Sequence, residues 1–170
     1  MKLAMIALAV AGTVIATGVW GGDDAVLAGH PSAEHLGGSS ADDVIVAEAG
    51  DDRIVAGEGD DVVLAGAGDD AVRGGAGADE LRGGPGDDRL DGGDDDDRDR
   101  VVGGPGDDRL FVRGPDVAVA GSGDDRIIAV RSAVGTSYRC GPGVDVLVLV
   151  KPAGEVHPHG CEHVRFVGSG

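Results

Sequence analysis

Through the middle of the chain one aliphatic residue returns at every ninth position, set among glycines and acids: Ile54, Val63, Val72, Leu81 and Leu90. A helix brings apolar residues back after three or four positions and a strand after two, so a period of nine is neither. Aligned on that period, residues 47–55 read AEAGDDRIV, 56–64 AGEGDDVVL, 65–73 AGAGDDAVR, 74–82 GGAGADELR and 83–91 GGPGDDRLD, without a gap. Two more regular units are 103–111, GGPGDDRLF, and 120–128, AGSGDDRII. Gly holds position 4, Asp position 6 and an aliphatic position 8. Positions 7 to 9 therefore predict a three-residue strand. Side chains alternate along a strand, which turns position 8 inward and positions 7 and 9 outward. The predicted interior is Ile45, Ile54, Val63, Val72, Leu81, Leu90, Val101, Leu110 and Ile127. Positions 1 to 6 must reverse the chain, and Gly permits the positive φ that a tight loop needs.

Less regular units extend the array. Residues 19–27 (VWGGDDAVL) fit with Trp20 at position 2, and 38–46 (GSSADDVIV) fit with Ala41 in place of the Gly. Residues 92–102 carry two extra residues, and 112–119 lack one but keep Gly114 and Asp116. Residues 140–148 (CGPGVDVLV) form a last unit, while 28–37 and 129–139 are degenerate. Ahead of the array, Leu3 to Ala16 form an apolar run that ends in Val14-Ile15-Ala16. It is shorter than the roughly 20 residues of a membrane-spanning helix and has the small-residue end of a secretory signal. The expected organisation is a signal segment at 1–16, capping repeats at 19–37, the main array at 38–128 and a C-terminal capping segment at 129–170. An uncleaved anchor is the alternative for 1–16.

Composition sharpens this picture. Gly numbers 33 of 170 residues, aromatic residues make up 2%, and the formal charge is −17. The charge has the wrong sign for neutralising nucleic-acid phosphates. Plain disorder comes with low hydrophobicity, yet 41% of the residues are apolar. No 12-residue loop ending in Glu lies between helical patterns, which excludes an EF-hand. No glycine-rich stretch ends in Gly-Lys-Ser or Gly-Lys-Thr, which excludes a phosphate loop.

The units G-x-G-D-D-x-U, with U aliphatic, resemble the RTX, or haemolysin-type, calcium-binding nonapeptide G-G-x-G-x-D-x-U-x. The resemblance covers most of 38–128, with outlying units at 19–27 and 140–148. It implies an all-β fold, a right-handed parallel β-roll with several Ca²⁺ ions held between successive loops. Two nonapeptides would make one coil, so that unit n stacks on unit n+2 at about 4.8 Å. Carboxylates and turn carbonyls are the hard oxygen ligands that Ca²⁺ takes six to eight at a time. Without a cation, stacked carboxylates repel, by roughly 4 kcal/mol for two charges about 4 Å apart near a protein surface. One interior aliphatic in nine does not offset a backbone entropy of about 1–2 kcal/mol per residue. Folding is therefore expected to accompany ion binding.

Alternation sorts the candidate ligands. Units starting at 47, 65, 83, 103 and 120 fall on one side, and all read G-D-D. Their ligands would be Asp52, Asp70, Asp88, Asp108 and Asp125, helped by Asp51, Asp69, Asp87, Asp107 and Asp124. Units starting at 38, 56, 74, 92 and 112 fall on the other side and are mostly irregular. They offer Asp43, Asp60, Asp61, Asp79, Asp99 and Asp116. The first side is expected to hold more and better-bound ions. Arg53, Arg89, Arg109 and Arg126, at outward position 7, are expected to be solvated.

Cys140 and Cys161 are the only cysteines. In an exported chain they are most simply a disulfide. The competing reading joins Cys161 to His157, His159 and His163 in a zinc-type site. Too little chain lies outside the array for a typical catalytic domain. The expected protein is a secreted, non-enzymatic, monomeric calcium binder, not inserted in a membrane once the signal is removed. The alternative is an envelope adhesion protein with a contact stripe at Val46, Leu64, Val102 and Val119.

Overall fold

In a computed structural model of the chain, the described residues are 24–132, 136–150, 156 and 158–168. The signal segment and the start of the unit at 19–27 lie outside them, as does His157. The described residues are all-β. One sheet holds β1 (Val26–Ala28), β3 (Val44–Val46), β5 (Val62–Leu64), β7 (Glu80–Arg82), β9 (Arg100–Pro105), β11 (Val117–Ser122) and β13 (Ser137–Arg139). The other holds β2 (His35–Gly37), β4 (Arg53–Glu58), β6 (Ala71–Ala76), β8 (Arg89–Gly93), β10 (Arg109–Arg113), β12 (Arg126–Val130), β14 (Val146–Val150) and β15 (His163–Val167). From β1 to β12 each strand pairs in parallel with the strand two places on, so Ile54 lies beside Val72 and Val72 beside Leu90, and at the C-terminal end β15 pairs in parallel with β14. Alternate nonapeptides thus feed alternate sheets, and the chain winds as a β-roll.

The inner faces of the two sheets meet in a narrow core. Every expected position-8 residue is buried in it. Several strands run to five or six residues, beyond the expected three. In Arg53–Glu58 burial alternates through Ala56, so position 1 of the following unit also points inward. Ala47, Ala56, Ala65, Val112, Ala120 and Ala129 fill this second interior column. The core therefore has one large inward side chain per unit and a second inward position held by Ala, by Val112 or, at Gly74, Gly83, Gly92 and Gly103, by buried glycine.

At the N-terminal end the register differs from expectation. Leu27 lies beside Ile45, so Leu27, not Val26, takes position 8. The shift packs Leu27 on the core and leaves Val26 exposed. It also places Ala25 where other units have Asp. At the other end the ladder continues from β12 into β14 without a break, and Leu147 and Leu149 are buried. Tyr138 takes the inward position of β13, and its hydroxyl donates to Ser132 Oγ at 2.8 Å, so no polar atom is stranded there. Cys140 and Cys161 form a disulfide, Cα–Cα 5.1 Å, that ties the last loops together. It takes Cys161 out of the zinc-type reading. Among the described residues no helix is long and apolar enough to cross a membrane.

Candidate metal sites

The loops lie along two edges. One set, holding Asp52, Asp70, Asp88, Asp108, Asp125 and Asp145, enters the eight-stranded sheet. The other, holding Asp43, Asp61, Asp79, Asp99 and Asp116, enters the seven-stranded sheet. Regular glycine loops leave no room between coils. Gly84 has φ +125°, and a Cβ there would land on the Gly66 carbonyl oxygen one coil back. Close stacking brings like residues of successive coils together.

Every position-6 Asp is buried. One of its oxygens accepts the backbone N–H of the equivalent residue one coil earlier: Asp52 N–H donates to Asp70 Oδ1 at 2.8 Å and Asp70 N–H to Asp88 Oδ1 at 2.9 Å. The same bond runs to Asp108, Asp125 and Asp145 on that edge, and from Ala25 through Asp43, Asp61, Asp79 and Asp99 to Asp116 on the other. The position-5 carboxylates do the reverse. Asp51 Oδ1 accepts the N–H of Asp69, one coil later, at 3.0 Å, and Asp60, Asp69, Asp87, Asp107 and Asp124 follow suit. These outer carboxylates are exposed. The two sets that the sequence presents as one pair are thus split between interior and surface.

The second oxygen of the inner set decides what the site can do. Oδ2 of Asp52, Asp70, Asp88, Asp108, Asp125 and Asp145 is buried without a hydrogen-bond partner on the first edge, and Oδ2 of Asp61 and Asp79 on the second. A buried polar atom with no partner is costly. At Asp43 and Asp116 of the second edge that oxygen is satisfied within its own loop: Asp43 Oδ2 accepts from Ser39 N–H at 2.6 Å, and Asp116 Oδ2 from the Arg113 backbone N–H at 2.6 Å.

Electrostatics carry the same message. Burial pushes the Asp79, Asp88 and Asp125 carboxyls up to about 7, Asp99 to about 8, and Asp52, Asp61 and Asp108 to about 6. The N–H bond to Oδ1 works against the rise, and neighbouring carboxylates add to it. Asp70, Asp116 and Asp145 are raised for the same main reason. A row of acids that resists ionising is a row that a cation would stabilise.

The donor set fits a hard cation. Among the described residues no three His, Cys, Asp or Glu side chains converge into a cage. Loop carbonyls must therefore complete any coordination shell, and an all-oxygen set of carboxylate and carbonyl suits Ca²⁺ rather than Zn²⁺. The RTX calcium-binding nonapeptide repeat matches in four copies, over residues 37–72, 64–98, 95–113 and 112–129. The chain belongs to the RTX calcium-binding repeat family. A search of curated proteins finds no match to it. The RTX repeats account for the period, the parallel roll and calcium as the ion class.

Three carboxylates of the same RTX ladder escape the sequence reading. Asp145 continues it into the unit at 140–148. Glu34, buried, accepts the N–H of His30 at 3.1 Å, while its own N–H donates to Asp52 Oδ1 at 2.8 Å. Glu162 accepts the N–H of Asp145 at 2.9 Å. Both Glu residues stand at position 6 of units that keep the aliphatic of position 8, Leu36 and Val164, but not the Asp, so a pattern that demands Asp passes over them.

Proposed function

We propose that the chain is a secreted, monomeric, non-catalytic calcium-binding protein whose roll orders as it takes up Ca²⁺, with most ions along the loops that enter the eight-stranded sheet. The observation that carries this is the row of six partnerless Oδ2 atoms from Asp52 to Asp145 on that edge, against two on the other. Asp52, Asp70, Asp88, Asp108, Asp125 and Asp145 would supply the side-chain oxygens there, and Asp61 and Asp79 those of the second edge. The exposed partners Asp51, Asp69, Asp87, Asp107 and Asp124 would hold loop spacing and lend charge. The capping roles of 19–37 and 129–170 belong to the same reading, with Glu34 and Glu162 ending the ladder. A disulfide, stable in an oxidising compartment, supports export. Far-UV circular dichroism tests the claim: addition of Ca²⁺ is expected to raise the β signal and chelator to remove it. Mg²⁺, which demands tighter octahedral geometry, should do neither. A β signal indifferent to calcium overturns the reading.

A second reading rests on the outer face of the seven-stranded sheet, where Val26, Val44 and Leu64 are exposed. With Val46, Val102 and Val119 they form an apolar row, interrupted by Arg82 between Leu64 and Val102, suited to envelope adhesion, the roll serving as a stiff spacer. Cell fractionation separates the two readings, because adhesion requires retention at the envelope.

A further inference from the structure

One glycine column on the second edge keeps the coils in close contact. A Cβ on Gly75 would land on the Gly57 carbonyl oxygen, and one on Gly93 on the Gly75 carbonyl oxygen. The next residue in this column is Arg113, since Phe111 pairs with Asp91 and Arg113 stands two residues beyond, opposite Gly93. Loop lengths also fall out of step here, with two extra residues in 92–102 facing one too few in 112–119. The backbones do not close as they do elsewhere. A Cβ on Gly114 would meet nothing nearer than 3.9 Å.

Arg113 fills the opening. Its guanidinium donates to the Gly93 carbonyl at 2.8 Å and lies 3.3 Å from the Asp94 carboxylate. Arg131, held at φ +54° one coil on, brings a second guanidinium within 3.7 Å of Asp94. Meanwhile the backbone N–H of Arg113 satisfies Asp116 Oδ2, the oxygen that has no partner at Asp61 and Asp79. A carbonyl and a carboxylate from one coil and a position-6 Asp from the next are the kind of oxygens that would face a Ca²⁺ between loops.

We propose that Arg113 is a built-in cation that stands in place of one calcium ion between the 92–102 and 112–119 loops, so that the protein closes this junction itself. A guanidinium suits the task, being permanently charged and able to donate to carbonyl and carboxylate together. The inference rests on the calcium reading of the other loops. It removes Asp116 from the ligands and interrupts the ion row of the second edge at this point.

Calcium bound per full-length chain, counted by equilibrium dialysis at saturating Ca²⁺, tests it. Asp108→Asn is expected to lower the count and Asp116→Asn to leave it at the wild-type value. In the same calcium, Arg113→Met is expected to speed amide exchange in Val101–Gly104 and Val117–Ala120 by about tenfold or more, and Arg113→Lys by less. A count that does not separate the two Asp variants overturns the inference, as does an Arg113→Met that exchanges like wild type. A wild-type chain that takes up no calcium overturns the calcium reading itself, an outcome distinct from either.

Discussion

Along the loops entering the eight-stranded sheet, successive units from 47 to 128 hold the G-D-D pattern, and each buried Asp there has one oxygen in a hydrogen bond and one without a partner. Along the loops entering the seven-stranded sheet, the same repeat carries Ala41, Ala78, a two-residue insertion and a one-residue deletion. There Asp43 and Asp116 turn the second oxygen to a backbone N–H of their own loop. Both edges use the same Oδ1 ladder to hold coil to coil. Regular glycine loops thus do more than stack strands: they leave the second oxygen without an internal donor and open to a cation. In the departing loops of Asp43 and Asp116 the position-2 N–H, of Ser39 and of Arg113, satisfies that oxygen instead.

The largest expected contrast is steric. Gly84→Ala, on the regular edge, combines positive φ with a direct clash on the Gly66 carbonyl, and the variant is expected not to reach the ordered roll even in saturating calcium. Gly114→Ala, on the irregular edge, has open space and bears only the left-handed backbone cost of about 1–2 kcal/mol. Thermal melts in calcium check both. If the two variants melt alike, loop packing is not what distinguishes the edges.

Next comes the disulfide beside Glu162, which closes a loop of sequence separation 21 near the end of the regular ladder. Cys161→Ser is expected to cost up to about 3 kcal/mol by loop-closure entropy. The loss should fall on β14 and β15, with the strands of the 47–91 units keeping their exchange protection. A uniform loss of protection would show that the roll melts as one unit.

A smaller effect separates the carboxylates. Asp88→Asn is expected to raise the calcium concentration at the folding midpoint about tenfold, or about 1.4 kcal/mol, and Asp43→Asn much less. Calcium titration followed by circular dichroism reads both midpoints, and equal shifts would mean that the partnerless oxygens do not mark the ions.

How far the chain was legible depends on which signal each feature leaves. The position-8 aliphatics follow from the period, while the two-sheet alternation and the stacking of the acids follow from the resemblance to the RTX repeat. The second core column does not, because Ala47, Ala56 and Ala65 are poor strand formers and look like turn residues until the strand is seen to continue through them. The first unit was misread by one residue: Gly22, Asp23 and Asp24 match the pattern, but burial of Leu27 beside Ile45 outweighs that match. Glu34 and Glu162 were hidden by a change of residue type at a position whose chemistry is unchanged. The opposite directions of the two hydrogen-bond ladders have no trace in a one-dimensional pattern, since Asp-Asp pairs look symmetric until one member is buried.

The same burial predicts an effect of pH. Seven buried carboxyls of the calcium-free roll, from Asp52 at about 6 to Asp99 at about 8, are raised from 3.8. Their protonated forms are favoured by folding, so they contribute stability below the ordinary value that is lost as pH rises through 6 to 8. In chelator, the chain is therefore expected to show more β structure at pH 5 than at pH 8. In calcium the dependence reverses, because protons compete with the ion. Calcium-free order that increases with pH would contradict the burial of these groups.

The most direct test of the account is a crystal structure of the calcium-loaded chain, with ions located by anomalous scattering. The account predicts most of the ions between the loops of Asp52, Asp70, Asp88, Asp108, Asp125 and Asp145, each touching an Oδ2 atom, and none between Asp99 and Asp116. Ions spread evenly over both edges, or concentrated along the loops that enter the seven-stranded sheet, would contradict it.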